Sequence, residues 1–414
     1  MEYLENIGKN AKAAATALNL LSAGQRKDIL RKCADSLVSD AKEVLAQNET
    51  DYKNALESGI KPSYLDRLKL TEDRINAMAA DLRKLADEKD VLGEIQSRTL
   101  ENGLIVGQRR VPLGVVAIIY EARPNVTSDA FGICLKTGNA LVLRGGSDAF
   151  NSNNALVSIF RGVLAKYGYD ENFVQIIEKT DRETARELMR LNEYIDVLIP
   201  RGGAGLINSV VKSATVPVIE TGAGNCHIFV DASADFEMAA NIVINAKTRR
   251  PSVCNAVEKL LVHQDIADDF LPLICSRLRG HKVEMRGDER TAAILPDIIP
   301  AKEDDWYTEY NDLIISVAVV SDISHAIAHI GKYSTNHSET IVTNDYQNSQ
   351  KFLKEVDSAA VYVNASTAFT DGGQFGLGAE IGISTQKLHA RGPMGLREMT
   401  TTKYVIMGEG QIRE

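Results

Sequence analysis

Apolar residues recur at helical spacing through the first ninety positions of the chain. In the segment 22–48 they fall at Ile29, Cys33, Leu37, Val44 and Leu45. That spacing places side chains on one face of a helix. The sequence SGIKPS at 58–63 interrupts the pattern. A layer of amphipathic helices is therefore predicted for residues 1–90, with Thr71 as the N-cap of its last helix.

The pattern becomes extended at 95–112 and again at 400–410. Glu101, Asn102 and Gly103 form a turn signal between two extended segments, which predicts a hairpin. The tail sequence TTTKYVIMGEG at 400–410 predicts one last extended segment.

Between these regions, short apolar runs alternate with helical segments. The predicted strands lie at 114–120, 140–146, 173–177, 194–200 and 216–220, and the predicted helices at 128–138, 149–167, 181–191 and 204–214. Continuous apolar strands that alternate with helices are typical of a parallel, doubly wound sheet. This architecture often binds nucleotides, but it fixes no function by itself.

A second α/β unit is predicted from about residue 231. It begins with a helix at 235–248 and continues with strands at 257–263, 313–320, 339–343 and 359–364. The stretch 276–306 is polar and irregular, and we expect it to form a surface excursion.

Length, charge and cysteine content limit the possible functions. The 414 residues are too many for one compact core, so at least two domains are expected. A net charge of −9 without a basic tract disfavours nucleic acid as a partner. The sequence contains no run of 18 apolar residues and no apolar core of a signal peptide. We therefore expect that the protein neither binds a membrane nor is secreted. Five cysteines without a CxxC pair favour the cytoplasm over a disulfide scaffold.

Cys254 is the strongest candidate for covalent chemistry. A thiol is a competent nucleophile only as the thiolate, which nearby cations favour. Lys247, Arg249 and Arg250 supply positive charge close by in sequence. The alternative is a small buried residue, which is the commoner role of a single cysteine.

Two polar residues are predicted at the carboxyl ends of strands. Glu220 ends the predicted strand VPVIE, 34 residues before Cys254, and Asn125 follows the strand at 114–120. Open α/β sheets place ligands at this edge, where an amide can also stabilise an oxyanion. A strand-end charge for Glu220 and a helix cap or turn for Asn125 are the alternatives.

In this order, these residues resemble the aldehyde dehydrogenase superfamily. RPNVT resembles the family's motif with the oxyanion-binding asparagine, and IETGAGN resembles its glutamate motif. SVCNAVEKLLV resembles its catalytic cysteine segment. Glu309 resembles a glutamate of the family that contacts the nicotinamide ribose. The resemblance implies an α/β fold with a Rossmann-type cofactor domain, an α/β catalytic domain and a small β oligomerisation element. The cofactor domain would comprise 1–96, 113–230 and part of 366–398, the catalytic domain 231–365, and the oligomerisation element 97–112 and 399–414.

Longer blocks, such as GVVAIIYEARPNVTSDAFGICLKTGNALVLRGG at 114–146, resemble one branch of the superfamily. This branch reduces L-glutamyl 5-phosphate to L-glutamate 5-semialdehyde with NADPH in proline biosynthesis. The resemblance implies that Cys254 forms a thioester, that Asn125 binds the oxyanion, and that Glu220 positions the cofactor or relays a proton.

The resemblance also implies where the cofactor and the substrate bind. Arg144, Gly145 and Ser147 correspond to the adenosine-ribose loop, and Gly202 and Gly203 form a glycine turn before a helix. Because Ser147 replaces an acidic residue, NADP is the predicted cofactor, although Asp148 opposes this choice. The predicted substrate-binding residues are Arg123, Arg249, Arg250, Ser366 and Thr367. No metal site is predicted, since the i, i+4 pair His325 and His329 lacks a third ligand.

The predicted partners are further copies of this chain, in a dimer or a larger homo-oligomer, and transiently glutamate 5-kinase, which makes the labile acyl phosphate. Two other functions stay open at this stage. One is a related enzyme that uses an acyl-CoA, and the other is a binding or scaffolding protein that keeps the fold without catalysis.

Overall fold

The structure is a computed structural model that describes residues 2–60 and 62–413. In chain order its helices are α1 (Glu2–Asn19), α2 (Ala23–Ser39), α3 (Ala41–Glu57), α4 (Pro62–Leu68), α5 (Glu72–Asp87), α6 (Pro124–Lys136), α7 (Phe150–Lys166), α8 (Arg182–Leu188), α9 (Ala204–Ser213), α10 (Phe236–Thr248), α11 (Gln264–Gly280), α12 (Glu289–Ile294), α13 (Glu303–Tyr307), α14 (Ile323–Tyr333) and α15 (Tyr346–Glu355). Its strands are β1 (Ile95–Thr99), β2 (Ile105–Pro112), β3 (Val115–Tyr120), β4 (Ala140–Gly145), β5 (Val174–Ile176), β6 (Val197–Arg201), β7 (Cys226–Val230), β8 (Val257–His263), β9 (Glu284–Gly287), β10 (Ile299–Pro300), β11 (Ile314–Val320), β12 (Ser338–Val342), β13 (Ala360–Val363), β14 (Ile383–Ser384), β15 (Gly392–Pro393) and β16 (Thr400–Met407).

The described residues form two units. The first contains the chain up to Glu220, with Gly376–Gly382 and the residues from Met394 on, and the second contains Thr221–Phe375 and Ile383–Pro393. The boundary predicted from the sequence lies at residue 230. The structure moves it to 220 because β7 hydrogen-bonds to β8 and β12 and therefore belongs to the second sheet.

The first unit contains a four-stranded parallel sheet in the order β5-β4-β3-β6. Every residue of the central strand β3 is buried, which matches its continuous apolar sequence. The predicted strand at 216–220 is wrong: only one bridge forms there, between Leu198 and Val218. Pro217 lacks the N–H group that a longer ladder would need.

Helix starts in the first unit follow local capping chemistry. The Thr71 side chain accepts a hydrogen bond from the Arg74 N–H at 3.2 Å, which confirms the predicted cap of α5. Helix α6 begins at Pro124 rather than at residue 128, because proline is well suited to the first helical position. Asn125 consequently lies in the first turn of this helix.

The predicted hairpin and the chain's last strand form a separate antiparallel sheet within the first unit. Its order is β1-β2-β16, and β16 pairs with β2 from Thr400 opposite Pro112 to Met407 opposite Ile105. The turn between β1 and β2 contains Gly103 at a φ of +85°, which only glycine adopts readily.

The second unit contains a seven-stranded parallel sheet in the order β10-β9-β11-β8-β7-β12-β13. The prediction of an irregular excursion at 276–306 is wrong, since α11 ends there and β9, α12, β10 and α13 follow. These elements are too short for hydrophobic periodicity to reveal them; β9, for example, alternates over only four residues. None of the helices in the described ranges combines the length and the apolar content needed to cross a membrane.

Candidate functional site

Cys254 lies in a turn between α10 and β8 and is half-buried, whereas the chain's other four cysteines are buried. Burial raises the pKa of each of those four thiols, that of Cys275 to about 11. They therefore stay protonated at neutral pH, and a neutral thiol is a poor nucleophile. Cys254 is the cysteine that the fold leaves accessible for chemistry.

The turn that carries Cys254 packs directly on the glycine-rich segment before β7. A Cβ on Gly224 would lie 1.5 Å from the carbonyl oxygen of Cys254, so no side chain fits there. The Cys226 thiol donates a hydrogen bond to the same carbonyl oxygen at 3.1 Å. These contacts fix the main chain at Cys254 and explain why glycine occurs in the sequence TGAGN.

A buried ion pair joins the two sides of this turn. Lys247 Nζ donates to the carbonyl oxygen of Val257 and to Glu258 Oε2, both at 3.0 Å. Burial raises the pKa of Glu258 to about 7 and lowers the pKa of Lys247. The charge of each residue acts in the opposite direction on the pKa of its partner. The ammonium group of Lys247, which was predicted to supply positive charge near Cys254, is held by this pair.

The segment 366–370 supports the same turn. Thr367 is fully buried and its hydroxyl donates to the carbonyl oxygen of Asn255 at 2.7 Å. Asn255 Nδ2 in turn donates to the carbonyl oxygen of Thr370 at 2.9 Å, and the Ser366 hydroxyl oxygen accepts from the Ala368 N–H. Ser366 and Thr367, predicted to bind substrate, are committed to contacts within the protein.

Glu309 reaches the turn from the loop after α13. Its Oε1 accepts a hydrogen bond from the Gly224 N–H at 2.8 Å, so Glu309, Gly224 and Cys254 form one cluster in the second unit. Arg249 and Arg250 are both exposed at the end of α10, where they are accessible to an anionic ligand.

The remaining predicted catalytic and substrate residues lie in the first unit. Asn125 is exposed, and its Nδ2 donates to Asp129 Oδ2 at 3.1 Å. Arg123 is the half-buried N-cap of α6. Glu220 is half-buried beyond the single bridge at Val218. Asp129 was not predicted as a site residue, although its i, i+4 spacing from Asn125 on a helix was a signal that could have revealed it.

Two predicted cofactor residues at the end of β4 make different contacts from those expected. The Arg144 guanidinium donates to the carbonyl oxygens of Thr180 and Asp181, and its buried Nε has no partner among the described residues. A Cβ on Gly145 would lie 2.4 Å from Asn153 Nδ2, so this glycine is needed for packing.

Ser147 is exposed beside these residues. Together with Asp148, Glu178 and Thr180 it lines a pocket of about 350 Å³. The pocket offers hydroxyl groups and carboxylates as hydrogen-bonding partners for a ligand.

Gly202 and Gly203 lie between β6 and α9, where an anion cradle was predicted. The Gly203 N–H donates to Glu121 Oε2 at 3.1 Å, and a Cβ on Gly202 would lie 2.6 Å from the Glu121 carboxyl carbon. The carboxylate of Glu121 thus stands in for an anionic ligand group at the start of α9. A dinucleotide phosphate at these glycines would have to displace the Glu121 carboxylate.

The first turn of α7 has a protein partner instead. The buried Asp51 carboxylate accepts from the N–H groups of Asn151 and Ser152 at 3.2 and 2.7 Å. Asp51 therefore occupies the N–H groups that an anionic ligand would need at the start of α7.

The histidines show no arrangement for metal binding. Over residues 2–60 and 62–413, no group of three His, Cys, Asp or Glu side chains could hold a metal ion. His329 instead packs edge-on against the ring of Trp306. Burial lowers the pKa of His329 and of His227 to about 3, which keeps both rings neutral.

Comparison with known proteins assigns these features to a family. The aldehyde dehydrogenase family model matches residues 2–310. A gamma-glutamyl phosphate reductase from Clostridium beijerinckii is 58% identical over 407 residues, which is 98% of each chain. The crystal structure of a gamma-glutamyl phosphate reductase from Thermotoga maritima is 52% identical, with a TM-score of 0.96, and the match covers 99% of this chain and 100% of that one.

A more distant structure is similar in fold alone. An acetylating aldehyde dehydrogenase from Geobacillus thermoglucosidasius is 18% identical, with a TM-score of 0.72, and the match covers 100% of this chain and 98% of that one. The aldehyde dehydrogenase fold predicted from the sequence is confirmed.

Proposed function

The chain belongs to the aldehyde dehydrogenase family, and on that basis we propose that it reduces L-glutamyl 5-phosphate to L-glutamate 5-semialdehyde with release of phosphate, a step of proline biosynthesis. The observation that carries the proposal is the placement of Cys254, the cysteine left accessible while burial keeps the other four thiols protonated. The names of the full-length relatives supply the substrate.

Cys254 begins the proposed reaction as the nucleophile. Its thiolate attacks the acyl carbon of glutamyl phosphate, a C–S bond forms, and the C–O bond to phosphate breaks. The phosphate leaves with the electron pair of that bond, and the glutamyl group stays on Cys254 as a thioester. Exposed Arg249 and Arg250 next to this turn are the proposed partners for the anionic groups of the substrate.

Asn125 is the proposed side-chain donor to the oxyanion. The negative charge that develops on the acyl oxygen requires N–H donors already in place, and the exposed Asn125 amide can supply one. By analogy with the family, the Cys254 N–H supplies another. Arg123, next to Asn125 in sequence, is proposed to bind a substrate carboxylate or phosphate.

Aldehyde dehydrogenases use a nicotinamide cofactor, which here would supply the hydride that converts the thioester to a thiohemiacetal. Gly202, Gly203 and the pocket beside Ser147 are the proposed residues that hold it. Cys254 then leaves as the thiolate, and the aldehyde is released. Glu309, which already fixes Gly224 in the Cys254 cluster, is the proposed partner of the nicotinamide ribose.

Glu220 has a limited proposed role. A glutamate that activated water would hydrolyse the thioester and waste it, whereas phosphate is the acyl acceptor in the reverse direction. We therefore assign Glu220 to cofactor positioning or proton relay, and expect that Glu220→Gln does not abolish phosphate-dependent activity.

NADP is the proposed cofactor, because Ser147 replaces the acidic residue that binds the ribose 2′-hydroxyl in NAD-dependent relatives. A higher kcat/KM for NADPH than for NADH supports this choice, and equal values reject it. Since Asp148 lines the same pocket and repels a 2′-phosphate, Asp148→Asn should increase the preference for NADPH.

Phosphate-dependent reduction of NADP with glutamate 5-semialdehyde tests the function directly. The wild type should be active only with phosphate, Cys254→Ser should be inactive, and Cys275→Ala is the control that should retain activity. A wild type that requires coenzyme A instead of phosphate would replace the proposed function with that of an acyl-CoA enzyme.

A further inference from the structure

We propose that Asp129 is a positioning residue that sets the orientation of the Asn125 amide and thereby controls the oxyanion donor through protonation of a single carboxyl group. This inference rests on the proposed function, because it concerns the donor that function requires. The sequence-based predictions assigned no role to Asp129.

The geometry places the two side chains on one face of α6. Asn125 and Asp129 are four residues apart, and Asn125 Nδ2 donates to Asp129 Oδ2 at 3.1 Å. Asn125 is exposed and Asp129 is half-buried. The carboxylate therefore holds the amide from the protein side and leaves its outer side accessible.

The chemistry of an amide makes this contact decisive for catalysis. The NH₂ group carries two hydrogens, and an ionised carboxylate can only accept. Ionised Asp129 therefore binds one hydrogen and leaves the second free for an oxyanion. A protonated Asp129 can instead donate to Asn125 Oδ1, which turns the amide over and removes its NH₂ group from that position.

The surroundings of Asp129 bring the protonation of its carboxyl group to near-neutral pH. Burial, with the nearby carboxylates of Asp81 and Glu380, raises the pKa of Asp129 to about 7, although the Asn125 hydrogen bond and the Arg201 guanidinium act in the opposite direction. These groups belong to α5, to the segment Gly376–Gly382 and to the end of β6, and all of them lie in the first unit.

A double-mutant cycle in the phosphate-dependent assay distinguishes positioning from a structural role. Asn125→Ala should lower kcat by about 10²–10³, the usual effect of losing one oxyanion donor. Asp129→Asn should lower kcat by about tenfold, with KM within about twofold, because the new NH₂ group at position 129 can donate to Asn125 Oδ1 and hold that amide turned over for most of the time. The double variant should be no slower than Asn125→Ala, since Asp129 acts only through Asn125. Asp268→Asn, at an exposed helical position, should match the wild type.

A second measurement does not depend on activity. In protein labelled with ¹⁵N-asparagine, the Asn125 side-chain amide resonance should titrate with a midpoint near pH 7, because it reports the protonation of Asp129. Asp129→Asn should abolish this titration, and Asp81→Asn should move its midpoint to lower pH by removing a repelling charge.

The outcomes separate the two proposals. If the wild type is active but kcat is unchanged in Asp129→Asn, the positioning role alone is overturned. The same holds if the loss of kcat in the double variant is the product of the losses in the two single variants. An Asn125 resonance that does not titrate also overturns it. A wild type without phosphate-dependent activity overturns the proposed function, and this inference with it.

Discussion

At the scale of single residues, the main chain at Cys254 is held by contacts that allow little adjustment. Gly224 leaves no room for a methyl group at the carbonyl oxygen of Cys254, and the Cys226 thiol binds the same oxygen. Cys254 was predicted as the nucleophile from its sequence motif, but the need for Gly224 emerges only from this packing. A displacement of about 1 Å at a reacting group can cost about 10²-fold in rate.

Gly224→Ala should therefore lower kcat by about 10²-fold or more while the protein stays folded, because the added Cβ forces the turn to move. Gly331→Ala is the matched control, since a Cβ there meets nothing within 4 Å and lies within α14 of the same unit. Kinetics and thermal denaturation of both variants provide the measurement. Native kcat in Gly224→Ala would mean that the turn is more adaptable than its contacts indicate.

The buried carboxyl group of Glu339 should affect how stability depends on pH. It accepts a hydrogen bond from the His227 N–H at 2.7 Å, and burial raises its pKa to about 8. Between its ordinary pKa of about 4.5 and about 8, the folded state therefore binds a proton that the unfolded state has lost. Stability attributable to this group is full below pH 4.5 and falls as pH rises through that window.

In the wild type, the unfolding free energy should fall as pH rises from 5 to 8. Glu339→Gln should reduce the slope of this fall by up to about 1.4 kcal/mol per pH unit. Urea denaturation at several pH values measures this slope. Glu303→Gln, at an exposed position with a lowered pKa, is the control and should leave the slope in this window unchanged. Identical slopes for the wild type and Glu339→Gln would contradict a raised pKa for Glu339.

At the scale of elements, continuous apolar runs correctly predicted most of the parallel strands, since a strand buried on both faces must be apolar throughout. The errors have local causes. Pro217 limits the predicted strand at 216–220 to one bridge, and the elements between 280 and 307 are too short for periodicity to appear. The pairing of Lys247 with Glu258 could not be predicted either, because no local pattern shows which lysine becomes buried.

Lys247→Met should lower the unfolding free energy by about 3–5 kcal/mol, because it leaves the buried Glu258 carboxylate without its partner. The double variant Lys247→Met, Glu258→Leu should recover part of that loss, since it removes both charges. Lys354→Met, at an exposed position of α15, is the control. Urea denaturation measures all three, and a Lys247→Met variant as stable as the control would show that the pair contributes little.

At the scale of the whole molecule, the sequence predicted two α/β units and a separate antiparallel sheet, but it placed the boundary ten residues too late. A glycine-rich turn before β7 gives no indication of which sheet the strand will join, and only the pairing of β7 with β8 and β12 decides this. The roles of these units in cofactor binding, catalysis and assembly remain proposals.

The antiparallel sheet is the proposed contact between copies of this chain. In the described residues β16 hydrogen-bonds on one side only, to β2, and its Tyr404 and Ile406 are 69% and 57% exposed. An open strand edge with apolar side chains favours pairing with another chain. The wild type should therefore sediment as a dimer or larger oligomer at micromolar concentration.

Ile406→Lys should shift that equilibrium towards the monomer, because it places a charge on the apolar surface of β16. Leu20→Lys, at a residue 82% exposed outside this sheet, should leave the equilibrium unchanged. Sedimentation velocity over a range of concentrations measures both variants. A wild type that remains monomeric would count against assembly through β16.

Intact-mass spectrometry of a single turnover tests the proposed chemistry most directly. Glutamate 5-semialdehyde and NADP are mixed with the protein in the absence of phosphate, and the reaction is stopped with acid before the mass is measured. The wild type should gain the mass of one glutamyl group, located on the peptide that contains Cys254, and added phosphate should remove it. An unmodified wild type, or an adduct that persists in Cys254→Ser, would contradict the account.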